Sequence, residues 1–244
     1  MADICAVVFD MYDTLVPNPK EAWIETFKRI CDEQSLDVTP TKLYDEWKAL
    51  ELEFRSYRLN MDDPYKSPPF KSYEQAWCEC FARVYQALGI SGDPASASKA
   101  AVLAMTQYDP FDEVPRTLQI IQSRWQTGIL SNADDDYLFP LLDRLGLKFP
   151  VVHSSEMAQA YKPHPLPFHR ILSELGVKPE ESVYVGDNPF DDVLGAKSVG
   201  MGTVWINRNR RTRPEDLPEP DYEITGLDYL PGILERWNDG VETR

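Results

Sequence analysis

The first apolar run, Ile4-Cys5-Ala6-Val7-Val8-Phe9, is short, continuous and rich in β-branched and aromatic residues, the pattern of a strand buried on both faces. Pro17-Asn18-Pro19 breaks that pattern and a helical period follows, with Trp23, Ile24, Phe27, Ile30 and Cys31 on one face. Pro40 opens a second helix carrying Leu43, Trp47, Leu50 and Phe54. Asp62-Asp63-Pro64 and Ser67-Pro68-Pro69 make a loop. A third helix carries Tyr73, Trp77, Phe81, Val84 and Leu88, and Gly89 is placed to cap its end. An alanine-rich fourth runs from Pro94 to Gln107. Four amphipathic helices with joined apolar stripes predict a small bundle.

From Phe111 the chain alternates between strand and helix. A helix through Leu118 to Trp125 leads into the strand Thr127-Gly128-Ile129-Leu130, and a helix from Tyr137 to Leu145 ends at Gly146. Phe149 to Ser154 reads as a strand, Leu166 to Leu175 as a helix, and Ser182 to Val185 as another strand. A helix from Phe190 to Val199, a strand from Gly202 to Ile206 and a last helix from Leu227 to Trp237 complete the pattern. Such alternation implies an α/β fold, a doubly wound parallel sheet with helices on both faces. The expected organisation is a core of residues 1–16 and 111–244, with a helical cap of residues 17–110 inserted after the first strand.

Composition narrows the partners. The 244 residues carry a net charge of −15, which excludes the basic footprint that nucleic-acid binding needs. An anionic small-molecule substrate would be repelled at long range, so its site requires a local cation, a lysine or a metal. Cys5, Cys31, Cys78 and Cys80 are too few for a disulfide framework, and Cys78 and Cys80 point to different faces of a helix. The chain enters a strand almost at once and contains no apolar run of bilayer length, so a cytoplasmic protein without membrane partners, a monomer or homodimer, is expected.

Chemistry-bearing residues sit where the strands end. Asp10 stands at the tip of the first strand, either as a turn cap or as a nucleophile that attacks without prior deprotonation. Thr14 would orient it or end the turn. Ser131 and Asn132 follow the second strand, where Ser131 is placed to hydrogen-bond a transferring group or to cap a helix. Lys162 lies in a loop, as an exposed cation or as the neutraliser of the charge around Asp10. Asp187, with Asp191 or Asp192, follows the strand Ser182 to Val185, and converging carboxylates of this kind suit Mg²⁺. Arg208, Arg210, Arg211 and Arg213 read as a solvated loop.

These four segments, in this order, resemble the motifs of the haloacid dehalogenase-like (HAD) hydrolases. The resemblance implies a Rossmann-like core, a nucleophile at Asp10 and an Mg²⁺ site of Asp10, the Tyr12 carbonyl, Asp187 and Asp192, with Asp191 left as a helix-cap or exposed neighbour. It also exposes a conflict. Phosphatases of the family place a second aspartate two residues after the nucleophile as general acid. Here that place holds Tyr12, as in the dehalogenases, and Asp13 replaces the glycine usual in both branches. Dehalogenases, however, have serine where Asp187 stands, and a cap arginine where Trp47-Lys48-Ala49-Leu50 has Lys48. The expected function is a Mg²⁺-dependent phosphatase for a small phosphorylated metabolite, with Tyr12, Ser131, Asn132 and Lys48 contacting substrate. A dehalogenase-type hydrolase, or a weakly active binding protein on the same scaffold, are the alternatives.

Overall fold

The computed structural model describes residues 3–239. In chain order the elements begin with β1 (Ala6–Phe9), α1 (Lys20–Gln34), α2 (Pro40–Tyr57), α3 (Tyr73–Leu88) and α4 (Pro94–Met105). Next come α5 (Val114–Gln122), β2 (Gln126–Ser131), α6 (Asp135–Leu145), β3 (Val151–Ser154), α7 (Ser155–Ala158) and α8 (Pro165–Leu175). The chain continues through β4 (Ser182–Gly186), a π-helical turn over Pro189–Leu194, α9 (Gly195–Val199), β5 (Gly202–Ile206), β6 (Tyr222–Ile224) and α10 (Leu230–Asn238).

The six strands form one parallel sheet in the order β3-β2-β1-β4-β5-β6. In β1, Ala6 and Val8 pack into a cluster with Leu130, Phe168, Ile171 and Tyr184, drawing α8 and α9 onto that face. Alternation sends Val7 and Phe9 to the opposite face, where they are equally buried. Both faces are therefore covered, as a continuous apolar strand requires. The order reverses at β1, which lies between β2 and β4, and the crevice beyond the carboxyl ends at such a reversal is where ligands bind in open α/β sheets.

Two compact units result. One contains the sheet, built from the chain up to Pro17, Asp109–Asn132 and Leu147 onward; the other contains Asn18–Tyr108 and Ala133–Gly146. Local chemistry sets the helices of the second. Thr39 caps α2 ahead of Pro40, and Ser72 and Gln75 form a capping box on α3. Its core is aromatic, with Trp23, Phe27, Trp47 and Phe81 at ring separations from 5.2 to 6.4 Å. This unit also takes in α6, which the alternating pattern had placed with the sheet. Tyr137 stacks on Trp77 at 6.0 Å, and the Asp134 carboxylate accepts both Tyr73 N and Glu74 N at the start of α3.

Other elements differ from expectation in detail. The helix expected over 190–199 begins as the π-helical turn, and β6, three residues long, carried no readable period. No helix among the described residues is long and apolar enough to cross a membrane.

Candidate active site

The loop after β1 is tied down by its own backbone. Asp10 N donates to Val185 O of β4 at 2.9 Å, Asp13 N to Val16 O at 2.6 Å, and Leu15 N to Met11 O at 2.8 Å. The turn needs a left-handed residue, and Asp13 supplies it with φ of 61°. Aspartate is among the few side chains that visit this region readily, which explains how it can stand where the resemblance expects glycine.

Lys162 is the centre of the site. It is 2% exposed, and its Nζ donates to Asp10 Oδ1 at 2.7 Å, Asp192 Oδ1 at 2.6 Å and Tyr184 Oη at 2.7 Å. All three ammonium hydrogens are thus used. Burial alone would push this amine down, but Asp10 and Asp192 outweigh it and hold the amine well above the usual lysine range. Tyr184 in turn donates to Leu130 O at 2.5 Å. The alternative of an exposed loop lysine is excluded. Asn132 supports the arrangement from the backbone: it donates to Lys162 O at 3.1 Å and accepts Lys162 N at 2.8 Å. Ser131 Oγ donates to Asp10 Oδ1 at 2.9 Å. Oδ1 of Asp10 is thus taken twice, by Ser131 and Lys162.

Asp187 follows β4 directly, and the turn after it brings Asp192 back against Gly186. A Cβ at Gly186 would overlap the Asp192 carboxylate, so that position admits glycine alone. Asn188 caps the turn, its Oδ1 accepting Phe190 N and Asp191 N at 2.9 and 3.2 Å, while Asp192 Oδ2 accepts Asn188 N at 2.9 Å. Asp191, 7% exposed, is therefore neither the cap nor an exposed neighbour.

Single carboxylate oxygens of Asp10, Asp187 and Asp192 lie within 4.8 Å of one another. Burial, reinforced by Asp10, pushes the Asp192 carboxyl up to about 7 against the opposing pull of Lys162. Burial and the charges of Asp192, Asp10 and Asp13 likewise hold Asp187 well above the usual carboxylate range. Even with Lys162 in place, the cluster is short of positive charge. Hard oxygen donors this close together fit a divalent cation such as Mg²⁺, and Asp10, Asp187 and Asp192 are the side chains that would hold it.

Two expected roles do not survive in the form given them. Thr14 does not orient Asp10: its Oγ1 is buried without a hydrogen-bond partner among the described residues, and its carbonyl instead accepts Arg208 Nη2 at 2.9 Å. The basic stretch is a loop, as expected, with Arg210 and Arg211 exposed, but several of its side chains have fixed protein partners. Arg208 also binds Glu113 Oε1 at 2.6 Å and lies over the Phe111 ring, Arg213 donates to Pro214 O and Leu217 O, and Arg211 reaches Asp187. In the helical unit, Lys48 Nζ pairs with Glu51 Oε2 at 2.8 Å, and Arg55 binds the other oxygen of that buried carboxylate. Tyr12 is buried. Tyr184 and Arg211 went unrecognised in the sequence, the first because it reads as one more apolar strand residue.

Comparison with known proteins agrees with this architecture. A model of the haloacid dehalogenase-like hydrolase family matches residues 4–200. The chain is 28% identical to haloacetate dehalogenase H-2 of Moraxella sp. over 240 residues, 96% of this chain and 99% of that protein. It is 30% identical to glyceraldehyde 3-phosphate phosphatase of Pyrococcus furiosus over 250 residues, 98% of this chain and 96% of that protein. Among solved structures, magnesium-bound YfnB of Bacillus subtilis superposes with a TM-score of 0.77 at 18% identity, over 95% of this chain and 99% of that one. The L-2-haloacid dehalogenase of Xanthobacter autotrophicus gives 0.76 at 23% identity, over 95% and 98%. The parallel-sheet scaffold is shared with these proteins, and the chain belongs to the haloacid dehalogenase-like hydrolases.

Proposed function

We propose that the protein is a Mg²⁺-dependent phosphatase that hydrolyses a small phosphorylated metabolite through an aspartyl-phosphate on Asp10. The observation that carries this reading is the convergence of Asp10, Asp187 and Asp192 oxygens within 4.8 Å. A third, half-buried carboxylate in that place has no use in a metal-free displacement on carbon and disfavours an anionic substrate unless a cation is bound. The cation would supply charge neutralisation at the phosphoryl oxygens.

The chain's own residues account for the rest. Lys162 and Ser131 hold Oδ1 of Asp10, so Oδ2 attacks phosphorus in line with the departing oxygen. The phosphorus–oxygen ester bond breaks as the bond to Oδ2 forms. Water then attacks the phosphorus of the aspartyl-phosphate, releasing inorganic phosphate and restoring the Asp10 carboxylate. Acid help to the leaving group is weak, because Tyr12 replaces the expected aspartate; the missing factor is typically about a hundred to ten thousand. Substrates with good leaving groups are therefore preferred. Asp13, near enough for its charge to raise the Asp187 carboxyl, is the stand-in acid, and an Asp13→Asn variant with undiminished turnover removes that role.

The test is p-nitrophenyl phosphate hydrolysis with Mg²⁺ and with chelator, for the wild type and a Tyr12→Asp variant. Metal-dependent turnover is expected in both, with the variant faster on alkyl phosphates. Turnover that survives full chelation would overturn the reading. Tyr12 itself favours a second reading, displacement of halide from a 2-haloacid, and metal-independent halide release would establish it.

A further inference from the structure

The acidic cluster has a second cation, and nothing in the proposed chemistry uses it. Arg211 Nη2 donates to Asp187 O at 2.8 Å and to Asp187 Oδ2 at 3.0 Å, clamping main chain and side chain with one nitrogen. Trp205 Nε1 donates to the same Asp187 carbonyl at 2.8 Å.

The loop that delivers Arg211 is built for the purpose. Asn207, fully buried at the end of β5, accepts Arg211 N with Oδ1 at 2.8 Å and donates to Arg211 O with Nδ2 at 2.8 Å. The same Nδ2 donates to Glu223 Oε1 at 2.7 Å, and Asn207 N to Ile224 O at 2.7 Å, so the loop is anchored on β6. Its backbone is held on both sides. The Arg211 side chain itself is 53% exposed, and only one of its three guanidinium nitrogens is engaged.

We propose that Arg211 is the resident counter-cation of Asp187, and that its positive charge sets how tightly the acidic cluster binds a divalent cation. Asp187 Oδ2 serves the guanidinium, so a dication held by Asp10, Asp187 and Asp192 would share Asp187 with that positive charge. Repulsion between the two lowers the affinity for the metal, while the guanidinium keeps Asp187 from being the uncompensated member of the cluster. Lys162 cannot play this part, because it is sealed among three buried partners. Arg211 can leave Asp187 for water. The inference rests on the metal reading of the preceding section.

Calorimetric titration of MgCl₂ into chelator-stripped protein at low ionic strength tests it, with wild type, Arg211→Gln and Arg211→Lys side by side. Loss of the positive charge is expected to tighten Mg²⁺ binding on the order of tenfold in Arg211→Gln. Arg211→Lys, which keeps the charge, is expected to stay near the wild type. A residue that merely braced the loop would move the constant the other way. Arg211→Gln binding Mg²⁺ equally or more weakly overturns the proposal, as does Arg211→Lys binding as tightly as Arg211→Gln. If none of the three proteins binds Mg²⁺ at millimolar concentration, the metal reading fails and this inference with it, whereas binding with unchanged constants defeats the inference alone.

Discussion

Lys162 and Arg211 neutralise carboxylates of the same cluster under opposite conditions. Lys162 is sealed inside the sheet unit and gives its three hydrogens to Asp10, Asp192 and Tyr184. Arg211 stands at the edge, half in water, and gives one nitrogen to Asp187. A buried ion network with every hydrogen placed is rigid and breaks badly when one member is removed. An exposed pair is screened and exchangeable, and its net worth is small. The cluster therefore has a fixed half around Asp10 and Asp192 and an adjustable half at Asp187.

The largest expected effect comes from breaking the fixed half. Lys162→Met leaves Asp10 and Asp192 facing each other without a counter-ion and should cost about 3–5 kcal/mol of stability. Turnover should fall on the order of a thousandfold. Thermal denaturation and steady-state kinetics check both, and an unchanged melting temperature would mean that the buried network does not hold the unit together.

Asp187→Asn attacks the adjustable half and should separate activity from stability. Metal-dependent turnover should drop on the order of a thousandfold, while the melting temperature in chelator stays level or rises, because a carboxyl held above its usual range is removed. A marked loss of stability in this variant would instead assign Asp187 a structural part like that of Lys162.

A smaller effect concerns pH. Burial pushes the Asp192 carboxyl up to about 7 in the folded protein, against about 4 in an unfolded chain, so the folded state holds the proton more tightly across that window. In chelator, stability should be greatest below about pH 4 as far as this group is concerned, and should fall as the pH rises towards 7. The melting temperature should drop by roughly several degrees. Mg²⁺ should reverse most of the loss above pH 7 and little of it at pH 5. Melting curves across pH, with and without Mg²⁺, decide this; identical Mg²⁺ effects at both ends would count against a carboxylate site.

Much of this site was legible from the chain because each of its segments is punctuated locally. Asp10, Ser131 and Asp187 all follow short apolar runs, and the glycine at 186 marks where Asp192 must come close. Asp13 looked anomalous until its left-handed backbone showed what the position demands. Other features left no local trace. Strand β6 is three residues long and exists because it pairs with β5, beside which Asp221 accepts Thr203 N and Oγ1. The Arg208–Arg213 stretch resembles any basic loop until β5 places it beside β4. Thr14, by spacing the partner of Asp10, has its hydroxyl elsewhere.

The parallel α/β core, the helical insertion and the strand-end positions of Asp10, Ser131 and Asp187 were readable from the chain alone. Those follow from hydrophobic period, β-branched runs and turn residues, all of which act between near neighbours. The electrostatics come from the folded arrangement: Lys162 is sealed and shared, Asp192 is pushed towards neutrality, and Asp187 pairs with Arg211. Lys162 lies 152 positions from Asp10 and 30 from Asp192, and Arg211 lies 24 from Asp187. Burial and pairing of charge depend on what surrounds a group in space, and separations of that size in the chain carry no such information.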